Sequence, residues 1–97
     1  MTYDQTINSA PVVLVEFYAT WCPHCKDMAP IVEQVTELLE GRAAVVQLDV
    51  DLNEDACDAE DIQGTPTFII YKDGKEVWRQ SGEMSGEQLL HTVERFL

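Results

Sequence analysis

Two cysteines separated by two residues are the side chains in this sequence best suited to chemistry. They lie in the segment Trp21-Cys22-Pro23-His24-Cys25, which follows an apolar run and opens a predicted helix. A sulfur at the first turn of a helix faces unpaired backbone N–H groups and the positive end of the helix dipole, and both favour the thiolate. Because the thiolate is the nucleophile in disulfide exchange, this placement activates Cys22. We therefore predict an exposed, nucleophilic Cys22 and a buried Cys25 that resolves the mixed disulfide.

A zinc site is the competing interpretation of this cysteine pair. Structural zinc takes four ligands, and beyond the pair the sequence offers only Cys57, His24 and His91. No second closely spaced cysteine pair is present, so redox chemistry is favoured, and no metal ligand or cofactor is predicted. A dimer that shares its cysteine pairs around zinc or a cluster stays open as an alternative. Cys57 is interpreted as a small, half-buried packing residue.

Length, composition and charge narrow the functional classes. The chain has 97 residues, which predicts a single domain over residues 1–97. Apolar residues make up 45% of it, which indicates a folded protein. With 6 basic and 18 acidic residues, the net charge of −12 provides no basic patch for nucleic acid and repels an anionic membrane. The segment Met1-Thr2-Tyr3-Asp4 lacks the basic and apolar features of a signal peptide, so we predict a cytoplasmic protein.

The apolar pattern predicts alternating strands and helices. The continuous apolar run from Val12 to Tyr18 is typical of a strand that is buried on both faces. The pair Asp73-Gly74 is a strong signal for a two-residue hairpin. The further predicted elements are a helix over 23–40, a strand over 43–50, a short helix from Asn53 to about Asp61, hairpin strands over 67–72 and 75–81, and a last helix opened by the capping box of Ser85 and Gln88. This order predicts an α/β domain with a mixed sheet.

Several sequence blocks occur together in a characteristic order. They are Val15-Glu16-Phe17-Tyr18-Ala19-Thr20-Trp21-Cys22-Pro23-His24-Cys25-Lys26, Ala29-Pro30, Asp49-Val50-Asp51, Gly64-Thr65-Pro66-Thr67, Asp73-Gly74 and Gly82. Over roughly residues 10–97 the sequence resembles the thioredoxin family. The resemblance implies a three-layer α/β/α thioredoxin fold around a mixed central sheet of about four strands. It also implies a thiol–disulfide oxidoreductase that acts on protein disulfides or dithiols with a separate redox partner protein. A redox-inactive binding module with the same fold is the alternative.

The resemblance also implies roles for residues around the cysteine pair. Pro66 matches the family's cis-proline, beside which the backbone of Thr65 would receive an extended substrate. Trp21, Pro23 and His24 are expected to contact substrate and tune the sulfur. Glu16 has an argument of its own, because a carboxylate inside so apolar a strand should have a raised pKa, and that suits a group that takes the proton of Cys25.

The sequence departs from the family pattern at Glu16, where the family usually has the shorter Asp, and at three further places. Pro23-His24 replaces the Gly-Pro of reducing thioredoxins and resembles strongly oxidising members, so a more oxidising disulfide is expected. Gln47 stands where the family often has a lysine close to the buried acid. The family's first strand is predicted to be truncated or absent, with helix remaining in residues 3–9. The strand over 43–50 would then be a sheet edge, covered by residues 1–10 or used in a weak dimer, so the chain is expected to be a monomer or weak dimer.

Overall fold

The computed structural model describes all residues, 1–97, and the elements lie where the apolar pattern predicts them. In chain order they are α1 (Tyr3–Ile7), β1 (Val12–Tyr18), α2 (Pro23–Leu39), β2 (Ala44–Asp49), α3 (Glu54–Ala59), β3 (Thr67–Lys72), β4 (Lys75–Ser81) and α4 (Gly86–Glu94). Gly41 follows α2 with φ of +80°, a conformation that glycine adopts without steric cost. None of the helices is long and apolar enough to span a membrane.

The four strands form one mixed sheet in the order β2-β1-β3-β4. β1 runs parallel to β2 and antiparallel to β3, and β3 pairs antiparallel with β4. Because β1 lies inside the sheet with a helix layer on each face, both of its faces are buried, as its unbroken apolar run predicts. The carboxyl ends of the parallel strands β1 and β2 lie side by side at one end of the sheet. The segment with the two cysteines follows β1 at this end.

Helices cover the two faces of the sheet in pairs and complete a three-layer structure. On one face, α2 and α4 pack against the even-numbered residues of β1. On the other face, side chains of α1 and α3 pack against the odd-numbered residues. β1 contributes to the hydrophobic core on both faces of the sheet, because its side chains are fully buried at Val13, Leu14, Val15 and Phe17. The predicted α/β/α thioredoxin fold with four strands is confirmed.

The N-terminal residues form a helix on the sheet face rather than a strand at its edge. Thr2 caps α1, and Tyr3 and Ile7 pack into the layer that also receives α3. As predicted, residues 1–97 form no strand before β1, and β2 is an edge strand of this four-stranded sheet. No backbone hydrogen bond joins residues 1–10 to β2, so these residues do not pair with the edge, although Tyr3 and Thr6 lie near Leu48 of β2.

Candidate active site around Cys22 and Cys25

The turn between β1 and α2 places the Cys22 sulfur at the N-terminus of α2. Cys22 is the N-cap residue in an extended conformation, and its Sγ accepts a hydrogen bond of 3.2 Å from the backbone N–H of Cys25. Pro23 occupies the first helical position, where its missing N–H costs nothing. A cysteine therefore takes the capping role that serine, threonine, asparagine or aspartate usually has. The helix N-terminus stabilises negative charge on its sulfur.

The two thiols differ in acidity rather than in exposure. Cys22 is 4% exposed and Cys25 is 5% exposed, so the prediction of an exposed Cys22 beside a buried Cys25 is wrong. Both cysteines belong to a small buried cluster with Ala19, and the Thr65 carbonyl lies 3.5 Å from the Cys22 sulfur.

Hydrogen bonds separate the pKa values of the two thiols. Burial disfavours the Cys22 thiolate, but hydrogen bonds from the Cys25 thiol, the Thr65 side chain and the backbone amides of Cys25 and His24 outweigh it and lower the Cys22 pKa. Burial raises the pKa of Cys25, and its hydrogen bond to Cys22 raises it further. The arrangement therefore favours ionisation of Cys22 before that of Cys25.

The loop before β3 lies directly against the first sulfur. The Thr65–Pro66 peptide bond is cis, and the Cys22 Sγ lies 3.5 Å from the carbonyl oxygen of Thr65, to which it donates a hydrogen bond only in its protonated form. The Pro66 carbonyl accepts a 2.8 Å hydrogen bond from the N–H of Gly82 in the loop between β4 and α4. This places Thr65 and Pro66 beside the cysteine pair, 43 residues away in sequence.

Glu16 is buried beneath this region in the middle of β1. Its side chain is only 1% exposed, so it does not point to solvent at a sheet edge. Burial raises its pKa, and a hydrogen bond of 2.9 Å from Gln47 Nε2 to Glu16 Oε1 partly opposes that rise. Glu16 shares a sheet face with Leu14, against which α2 packs. The expected proximity of residue 47 to the acid is confirmed.

Trp21 lines a shallow groove at the cysteine pair and is hydrogen-bonded to Asp51, which follows β2. Its indole Nε1 donates a hydrogen bond of 3.0 Å to Oδ2 of Asp51, although the ring itself is exposed. The groove is lined by Trp21, Cys22, Pro23, His24, Val50, Cys57, Ile62, Gln63, Gly64 and Thr65. The role of Asp51 was not anticipated from the sequence. A usable signal existed, since Asp51 follows β2 and the carboxyl ends of parallel strands meet.

His24 is paired with an acid that nothing in the sequence pattern singles out. Its Nδ1 lies 2.5 Å from Oε2 of Glu83, which is 59 residues away and follows Gly82. The hydrogen bond and charge of Glu83 are the main reasons that the pKa of His24 is raised. Because Nδ1 faces Glu83, that nitrogen gives no hydrogen bond to the Cys22 sulfur, and the interaction between His24 and Cys22 is electrostatic.

The remaining candidate ligands do not converge on the cysteine pair. Cys57 lies half-buried in the groove wall, and burial together with nearby acids raises its pKa, which matches the packing role predicted for it. His91 is exposed on α4. Side chains of His24, Asp27 and Glu83 have donor atoms within 4.8 Å of one another, but all three are exposed. Exposed acidic groups of this kind do not by themselves indicate a metal ion.

Comparisons with known proteins agree with this geometry. The Thioredoxin family model matches residues 1–95. The chain belongs to the thioredoxin family. It is 41% identical over 94 residues to chloroplastic thioredoxin Y2 of Arabidopsis thaliana, covering 97% of this chain and 56% of that protein. It is 37% identical over 95 residues to a thioredoxin of Staphylococcus saprophyticus, covering 98% of this chain and 90% of that protein. The chain thus spans little more than half the length of its plant thioredoxin relatives.

Solved thioredoxin structures share the whole architecture. A single-site mutant of a thioredoxin from Halobacterium salinarum superposes with a TM-score of 0.87 at 33% identity, covering 96% of this chain and 80% of that one. Chloroplastic thioredoxin z superposes with a TM-score of 0.86 at 36% identity, covering 96% of this chain and 85% of that one. The thioredoxin resemblance seen in the sequence motifs is therefore confirmed at the level of family and fold.

Proposed function

We propose that this chain is a thiol–disulfide oxidoreductase that exchanges disulfides with protein substrates through Cys22. The observation that carries the proposal is the Cys22 sulfur at the start of α2, with its lowered pKa and with Cys25 one turn away. Membership of the thioredoxin family and the likeness to named thioredoxins support it. We also propose that residues 1–97 act as a single catalytic domain.

The proposed reduction of a substrate disulfide has two steps. The Cys22 thiolate attacks one substrate sulfur, a Cys22–substrate disulfide forms, and the other substrate sulfur leaves as a thiolate. Cys25 then loses its proton and attacks the Cys22 sulfur, which releases the second substrate thiolate and leaves a Cys22–Cys25 disulfide. The substrate gains two electrons and the cysteine pair loses two. An external dithiol or a reductase partner protein restores the pair.

Other site residues serve these two steps in the proposal. Thr65 and Pro66 present backbone beside Cys22 for an extended substrate segment. Trp21 provides an exposed apolar contact, and Pro23 sets the helix start. Glu16 accepts the Cys25 proton, for which its raised pKa is suited because a poised base needs a pKa near the working pH.

The proposed setting is the reducing cytoplasm. Thiols outside the exchange reaction persist in reducing compartments, which suits the unpaired Cys57. Some relatives are named chloroplastic, so the plastid stroma is the competing location. Fractionation of the source cells followed by immunoblotting distinguishes the two.

Reduction of an insulin disulfide by dithiothreitol tests the proposed activity. The wild-type chain should accelerate the reaction catalytically, and Cys22→Ser should reduce the rate at least about 10³-fold because the nucleophile is gone. Cys57→Ser is the matched control and should keep the wild-type rate. A wild-type chain that binds peptide substrates without turnover contradicts the proposal and favours the binding module. Metal retained by purified dimers through the cysteine pair favours the zinc or cluster alternative.

A further inference from the structure

We propose that Glu83 is a positioning residue for the Cys22 reaction, which holds His24 as an imidazolium beside the nucleophile. The inference rests on the proposed function, in which Cys22 is the attacking thiolate. Glu83 itself touches neither Cys22 nor the groove beside it. Its effect on the sulfur passes through His24.

The two side chains are held together by parts of the fold that also form the site. His24 is the second residue of α2 and follows Cys22 by two positions. Glu83 directly follows Gly82, whose N–H is bonded to the Pro66 carbonyl. Two residues later, Ser85 caps α4 through a capping box. Glu83 therefore stands between two fixed points, and the Nδ1 to Oε2 hydrogen bond of 2.5 Å links the cysteine helix to the loop that supports Pro66.

Three groups act on the protonation of the imidazole. Glu83 from the loop before α4 has the largest effect, and Cys22 and Asp27, which flank His24 in the chain, add smaller ones. All three are anionic when ionised, and each raises the pKa of His24. Attraction between the imidazolium and the Cys22 thiolate is mutual, so a protonated His24 also favours the thiolate.

This pairing changes how the site responds to pH. An exposed histidine ordinarily loses its charge close to neutral pH. The His24 side chain is 67% exposed, so without Glu83 it would lose its positive charge at a lower pH. With Glu83 in place, the positive charge beside Cys22 persists to higher pH. The thiolate population at neutral pH then depends on an acid remote in sequence.

The test compares Glu83→Gln with Glu87→Gln, which removes the same charge from an exposed position in the first turn of α4. NMR follows the titration of His24, and mass spectrometry follows alkylation of Cys22 by the neutral reagent iodoacetamide from pH 5.5 to 8. We expect Glu83→Gln to lower the His24 pKa. At pH 7.5 it should slow Cys22 alkylation about two- to threefold, because a smaller thiolate fraction remains. At pH 5.5, where His24 is protonated in both proteins, the variant should react at least as fast as the wild type.

A double-mutant cycle separates action through His24 from any other effect. In a His24→Gln background, Glu83→Gln should change the Cys22 rate no more than Glu87→Gln does. If wild-type Cys22 is reactive but Glu83→Gln and Glu87→Gln give the same pH profile, the proposed role of Glu83 is wrong. The proposed function is then unaffected. A Glu83→Gln effect that persists without His24 overturns it as well. A wild-type Cys22 that alkylates no faster than a free thiol at pH 7.5 overturns the proposed function and this inference together.

Discussion

Gln47 Nε2 donates a 2.9 Å hydrogen bond to Oε1 of Glu16 across the parallel pair of β1 and β2. The register places the two residues directly opposite each other, so the amide is the nearest partner of a carboxylate that is 1% exposed. In place of the lysine that thioredoxins often have here, this chain uses a neutral donor. The protonation of the buried acid is thus governed mainly by burial.

Replacing Gln47 tests this relationship directly. Gln47→Lys should lower the pKa of Glu16, because a cation favours the carboxylate, and Gln47→Met should raise it by removing the donor. Both values are measurable by carbon-detected NMR of the Glu16 carboxyl. If Glu16 takes the Cys25 proton, the pH at which mixed-disulfide resolution becomes fast should move in the same direction as each pKa. Equal resolution profiles in both variants would exclude Glu16 as that base.

The raised pKa of Glu16 makes stability depend on pH. The native protein binds this proton more tightly than the unfolded chain, so the contribution is complete below the ordinary pKa near 4.5 and is lost as pH rises through the native value. We expect Glu16→Gln to stabilise the protein at pH 8 and to give little or no gain at pH 4. Between the two pKa values the wild type should lose about 1.4 kcal/mol per pH unit relative to the variant. Urea unfolding at both pH values measures the difference.

Replacing the resolving thiol should stop the reaction at the mixed disulfide between Cys22 and the substrate. Cys25→Ser leaves the Cys22 nucleophile intact but removes the sulfur that releases the substrate. Mixed disulfides with substrate proteins should accumulate on non-reducing gels and disappear with dithiothreitol. Peptide mapping should place them on Cys22, and Cys25→Ser/Cys57→Ser should trap them equally. Adducts that map to Cys57 would contradict the assignment of Cys22 as nucleophile.

The dipeptide between the cysteines should set the redox potential. Changing Pro23-His24 to Gly-Pro removes the imidazolium beside Cys22, which destabilises the thiolate and hence the reduced form. We expect a potential more negative by at least ~30 mV, equivalent to about 1.4 kcal/mol, and a higher Cys22 pKa. Equilibration with glutathione measures the potential, and Pro23→Gly alone is the control that keeps His24. An unchanged potential would shift the explanation to Glu16 and Gln47.

The open edge of β2 should support weak self-association. Its residues Ala44 to Leu48 carry no charge, whereas β4 at the opposite edge carries Lys75, Glu76 and Arg79, which discourage pairing. We expect weak dimers at millimolar concentration that strengthen with salt, because salt screens the net charge of −12. Val45→Lys should abolish them, and Val77→Lys on β4 should not. Sedimentation equilibrium measures the association of each variant, and circular dichroism verifies that each is folded. A wild-type chain that stays monomeric in high salt would contradict the prediction.

Much of the fold and site follows from local patterns. The apolar run of β1 predicts a strand buried on both faces because two helix layers require apolar side chains on both sides. The Asp73-Gly74 hairpin and the capping box of Ser85 and Gln88 are likewise local, since each depends on residues within one turn. The cysteine spacing and the helix that follows it predict that the Cys22 thiolate is stabilised by the helix N-terminus, which is also a local effect.

The tertiary structure decided what depends on chain segments that are distant in sequence. It showed that Cys22 is as buried as Cys25, with the Thr65 carbonyl 3.5 Å from the Cys22 sulfur although Thr65 is 43 residues away in sequence. It placed residues 1–10 on a sheet face, where Tyr3, Ile7 and Ala10 bury apolar surface against β1 and β3. It also brought Glu83 to His24 across 59 residues. Periodicity reports which face of an element is buried, but it carries no information about which distant charged side chain arrives beside the site.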